Sequence, residues 1–102
     1  MFFNKLVRDK IPEIIRQRGK TAKTHIAKDD EYWTRLMDKL QEEVGGFVSD
    51  ENEEELADIL DVIDAIIEAR GFKSERIDEF RKQKLDQKGG FQDKIVLDEV
   101  QD

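Results

Sequence analysis

Between Leu40 and Ile67 the sequence uses one device twice: an apolar stripe at helical spacing with carboxylates beside it. Trp33, Leu36, Met37, Leu40, Val44, Phe47 and Val48 keep the spacing of one helix face, with Glu42-Glu43 at its edge. Leu56, Ile59, Leu60, Ile63, Ile66 and Ile67 form a second stripe, accompanied by Glu55, Asp58 and Asp61. At about 100° per residue, Glu55 and Asp58 point the same way, with Asp61 one step further round. Glu43 has the same offset from its stripe that Glu55 has from its own. Packed as antiparallel helices, the two segments bring their acidic edges together. Carboxylates crowding one small volume repel unless a cation sits between them. Hard divalent ions such as Mg²⁺, with Mn²⁺ as a substitute, take oxygen ligands and retain waters that a phosphate can displace.

The competing explanation is a solvated helix flank laced with ion pairs, such as Glu43 with Lys39. It accounts for most acidic residues in a chain that is 42% charged. The two motifs together favour a metal site at Glu43, Glu55 and Asp58, with Glu42 and Asp61 at its margin.

Length and composition point to one all-α domain over residues 1–102, an antiparallel helical bundle with two long central helices and short flanking ones. The apolar fraction is 37%, a small supply for a lone chain, so a homo-oligomer, dimer or tetramer, is expected to bury helix faces between copies. A net charge of −7 argues against binding a nucleic-acid polymer, which needs a basic face. With no cysteine, disulfides and thiolate metal sites are excluded. No apolar run approaches the roughly 18 residues of a membrane span, and the first residues become charged too soon for a secretory signal. A cytoplasmic protein is expected.

Pro12 suits the first turn of a short helix running to Arg18 and stopped by Gly19. Lys20 to Lys28 reads as a loop or short strand, and its His25, the sole histidine, as solvated. Asp29-Asp30 are expected to cap the first long helix, which runs to Ser49, and Asp50 or Asn52 the second, which ends at Gly71. A last helix is expected from Ser74, its cap, to about Gln87, with thin apolar content in Ile77, Phe80 and Leu85. Ile95-Val96-Leu97 suggests minor β pairing with the Phe2-Phe3 region or with residues 22–26. Trp33, Met37 and Phe47 are expected in the core, with Tyr32 nearer the acidic edge. Gly45-Gly46 inside the first long helix opposes local propensity, each glycine costing about 1 kcal/mol relative to alanine. A kink, a close approach or a lost side chain would each explain it.

Four segments then carry a resemblance: Lys5-Leu6-Val7-Arg8-Asp9-Lys10-Ile11-Pro12, Glu42-Glu43-Val44-Gly45-Gly46, Glu55-Leu56-Ala57-Asp58 and Lys88-Gly89-Gly90-Phe91. Together they resemble the MazG-type superfamily of all-α nucleoside triphosphate pyrophosphatases. That superfamily includes phosphoribosyl-ATP pyrophosphohydrolases and a branch of small house-cleaning enzymes for non-canonical nucleotides. The resemblance implies Mg²⁺ held by Glu43, Glu55 and Asp58, with Glu42 placing a second ion or a water. The pattern departs at Gly46, where the family carries a third acidic ligand. Asp61 is the residue placed to compensate.

The implied reaction is hydrolysis of a nucleoside triphosphate to the monophosphate and pyrophosphate. Bound Mg²⁺ would neutralise the phosphates and orient the water. Glu42 or Asp61 would take its proton. Arg8, Lys10 and Lys88 are the cations expected at the phosphates, Arg8 and Lys88 because they fall inside the family-like segments. A catalytically weakened nucleotide- or metal-binding module, or a helical assembly module, is the alternative, because Gly46 replaces a family acidic ligand.

Overall fold

A computed structural model describes residues 3–102. Its secondary structure is helical: α1 (Ile11–Gln17), α2 (Asp29–Asp50), α3 (Glu53–Arg70) and α4 (Ser74–Lys88). The described residues up to Gly71 form one compact unit and Phe72–Asp102 a second. No strand occurs among the described residues. Residues 22–26 and 95–97 are irregular, so the expected β pairing is not found there, and Phe2 lies outside the described residues. Two short segments give too few ladder bonds to hold a ribbon without a sheet to join.

In the first unit, α2 and α3 pack on each other across the two-residue connection Glu51-Asn52. Leu36 of α2 (1% exposed) and Val62 of α3 (8%) are its buried apolar side chains. Ile59, Ala65, Ile66 and Ile67 are half-buried around Val62. The predicted α3 stripe is thereby corrected. Val62 belongs to the packed face, whereas Leu56, Leu60 and Ile63 lie exposed. The helix is apolar over a wider arc than one neighbour can cover. On α2, Val44 and Val48 are likewise exposed, while Trp33, Met37 and Phe47 are half-buried.

Helix ends explain most of the differences in boundaries. Asp29 and Asp30 do not cap α2. The cap position is Lys28, in extended backbone with no side-chain bond, and both aspartates fall in the first turn with Glu31, where the helix dipole favours their charge. The helix continues one residue past Ser49 and closes on Glu51, whose φ of 48° puts a non-glycine residue in the left-handed region. Asn52 caps α3, its side-chain oxygen accepting from the Glu55 N–H at 2.9 Å. Gly71 ends α3 with φ 66°, a conformation that a Cβ would strain. Ser74 is the first residue of α4 and not its cap, which is Lys73.

The helix α2 runs unbroken through Gly45-Gly46. Gly45 faces open space, and Gly46 faces the side chain of Glu55.

In the second unit, Ile77 is half-buried on α4, while Phe80, Leu85, Phe91, Ile95, Val96, Leu97 and Val100 are exposed.

Candidate metal centre

Three carboxylates converge where α2 and α3 pack. Glu43, Glu55 and Asp58 each present an oxygen, and these oxygens all lie within 4.8 Å of one another. Helix α3 supplies Glu55 and Asp58 one turn apart, aimed by the Asn52 cap that starts the helix beside them. Helix α2 supplies Glu43, whose side chain is only 14% exposed. Two ligands on opposite sides of an octahedral Mg²⁺ lie about 4.2 Å apart, so small side-chain movements would close the set on an ion. All three donors are oxygen, which suits a hard divalent cation and not a thiolate or imidazole metal.

Glu55 feels this crowding. Its carboxyl is pushed above the usual glutamate range, first by partial burial and then by the charges of Asp50, Asp58, Glu43 and Glu54. It lies over Gly46, where a Cβ would sit 2.8 Å from Glu55 Oε2. The bare backbone at 46 is therefore the space that Glu55 uses. A side chain there would compete with Glu55 for room.

The flanking carboxylates are already paired. Residues 4–8 cross both helices as a basic strap, anchored by half-buried Leu6 and Val7. Arg35 Nη1 donates to the Asn4 carbonyl at 2.6 Å, and Lys5 Nζ donates to Glu42 Oε1 at 2.9 Å. Arg8 Nη2 reaches both Asp58 Oδ1 at 2.8 Å and Asp61 Oδ2 at 2.9 Å. Bonding to Lys5, aided by the charge of Lys39, holds Glu42 below the usual glutamate range. Asp61 and Asp58 raise the Arg8 pKa further, so its guanidinium stays charged.

The expected ion pair between Lys39 and Glu43 is present at 3.3 Å, and Lys39 also approaches Glu42 at 3.8 Å. The helix-flank pairing and the acidic triad thus coexist at Glu43. Lys10 is exposed at the cap of α1, where its carbonyl accepts from the Ile14 N–H at 3.1 Å. Lys88 is exposed at the end of α4, in the second unit. The reach of Lys5 to Glu42 and of Arg8 to Asp58 spans dozens of residues, and no local spacing announces it. The basic segment facing an excess of acid was the only signal.

His25 is not simply solvated. Its Nε2 lies 2.9 Å from Glu31 Oε1 and 3.0 Å from Oε2. The start of α2 and end of α3 border an open recess of about 630 Å³ lined by Asp29, Asp30, Tyr32, Trp33, Glu68 and Arg70. The Arg70 guanidinium lies 3.6 Å from the centre of the Trp33 ring and covers that face.

Comparison with known proteins adds one likeness. The chain is 56% identical over 39 residues to an uncharacterized protein of Mycolicibacterium smegmatis (strain ATCC 700084 / mc(2)155). That match covers 38% of this chain and 40% of the length of the mycobacterial protein. No protein-family model matches the chain. No solved structure matches it. No helix among the described residues is long and apolar enough to cross a membrane.

Proposed function

We propose that the chain is a Mg²⁺-dependent nucleoside triphosphate pyrophosphohydrolase, releasing a nucleoside monophosphate and pyrophosphate, with house-cleaning of non-canonical nucleotides as its role. The observation that carries this reading is the convergence of Glu43, Glu55 and Asp58 from two helices. The resemblance of the four motif segments to the MazG-type pyrophosphatases supports it. The three carboxylates would hold the ion, and the chemistry it would supply is neutralisation of phosphate oxygens and orientation of the attacking water. Water attacks the α-phosphorus, the bond to the pyrophosphate oxygen breaks, and Glu42 or Asp61 takes the water's proton. Arg8 and Lys10 are the cations for the phosphates in the first unit. Mn²⁺ replaces Mg²⁺. The working form is a cytoplasmic homo-oligomer of antiparallel bundles, and the exposed Leu56, Leu60, Ile63, Val44 and Val48 are the surface it covers.

A second reading rests on Gly46: a module that binds nucleotide and metal without turning them over. Both readings are separated by measuring pyrophosphate release from a panel of canonical and damaged nucleoside triphosphates during a Mg²⁺ titration. Mg²⁺-dependent release that is lost in Asp58→Asn supports the enzyme. Thermal stabilisation by nucleotide and Mg²⁺ without release supports the binding module. Absence of any Mg²⁺ effect on release or stability overturns both.

A further inference from the structure

We infer that the centre takes a single divalent ion, and that the guanidinium of Arg8 occupies the place a second ion would need. This rests on the metal reading of Glu43, Glu55 and Asp58. Two carboxylates must share a second cation for a two-ion site to form; Lys39 already reaches both Glu43 and Glu42, at 3.3 and 3.8 Å, and the other pair next to the triad is Asp58 with Asp61. In the structure a cation already bridges that pair. One nitrogen, Arg8 Nη2, contacts Asp58 Oδ1 at 2.8 Å and Asp61 Oδ2 at 2.9 Å. Asp58 is thus shared between the triad and the guanidinium, as a carboxylate bridging two metal ions would be.

The strap fixes this arrangement. Asn4 is held by Arg35 and Lys5 by Glu42, so Arg8 is tethered only a few residues from two anchor points on α2. A guanidinium has five donors, and both carboxylates use the same nitrogen, leaving Nη1 and Nε to meet a phosphate. Arg8 then presents a permanent positive charge on the Asp61 side of Asp58, while Glu43 and Glu55 would serve the ion. Asp61 becomes a positioning residue that aims Arg8.

The test counts Mn²⁺ bound per full-length chain by electron paramagnetic resonance, with no nucleotide present. The wild type is expected to bind one ion. Arg8→Gln is expected to bind two, because the Asp58-Asp61 pair loses its cation. Arg8→Lys is expected to return to one, since it restores the charge without the fork. Two ions in the wild type, or one in Arg8→Gln with helicity intact, would overturn the inference while leaving the metal centre standing. No ion bound to the wild type would overturn the metal centre and this inference with it.

Discussion

The Glu55 carboxylate rests against the bare α2 backbone at Gly46, so close that a Cβ there would meet Oε2 at 2.8 Å. The neighbouring Gly45 faces open space. Two adjacent glycines with the same helix penalty therefore have different reasons to be there. One lies against a carboxylate that would have to shift to admit a methyl group. The structure gives no physical account of the other.

The pair can be separated by alanine. Gly45→Ala is expected to stabilise the protein by about 1 kcal/mol, since nothing obstructs the methyl group and the helix gains propensity. That corresponds to a rise in Tm of about 4 to 8 °C, read by circular dichroism, with Mn²⁺ affinity unchanged. Gly46→Ala is expected to gain in the same helix term but to push Glu55 off its seat, weakening Mn²⁺ binding several-fold. Equal Mn²⁺ affinity in the two variants would refute the assignment of Gly46 to Glu55.

The uncovered row on α3 makes a prediction about assembly. Leu60 is 56% exposed, with Leu56 and Ile63 beside it. Leu60→Asp is expected to leave helicity intact but to shift the sedimentation coefficient from an assembled species to a single chain. The wild-type Tm is expected to rise with protein concentration, and that dependence to vanish in the variant. A wild type that sediments as a single chain at all concentrations would remove this face as a contact between copies.

The start of α2 is expected to loosen in acid. Glu31 is held below the ordinary glutamate value of 4.5, first by the His25 hydrogen bond and then by the Arg35 pairing, despite some opposing burial. A carboxyl lowered on folding contributes stability above its unfolded pKa and loses it as pH falls through the folded value. The Tm difference between wild type and Glu31→Gln should therefore be largest above pH 4.5 and shrink below it. A difference that stays constant through that window would show that Glu31 does not act through its charge.

Trp33 reports on the other end of the helix pair. The Arg70 guanidinium covers one face of the indole at 3.6 Å. Arg70→Gln is expected to cost about 0.5 to 1 kcal/mol. It should also alter the quenching of Trp33, the only tryptophan, by iodide. Identical quenching would place Arg70 elsewhere in solution.

Helix existence was legible because α2 and α3 carry long, regular stripes, and Gly19, Gly71 and Asn52 carry specific stop or start chemistry. The convergence of Glu43 with Glu55 and Asp58 followed from the offset of each from its stripe. Val62 was not legible as core because α3 is apolar on two faces, and only the neighbouring helix decides which is packed. The caps at Lys28 and Lys73 were missed because carboxylates or hydroxyls adjacent to a helix start serve equally well inside its first turn. The strap was illegible for a different reason. Lys5 and Arg8 find Glu42, Asp58 and Asp61 through the tertiary path of the chain, and periodicity carries no information about that path.

Gly71 closes α3 in a left-handed turn at the boundary of the two compact units. The triad, the strap and the two helices that aim them are all encoded before it, whereas Lys88 is encoded after it. A genetic crossover at that codon would carry the acid cluster with its own counter-charges to a new C-terminal companion in one event. Descendants of such an exchange would inherit the same acid cluster and diverge first in whatever the later residues contribute.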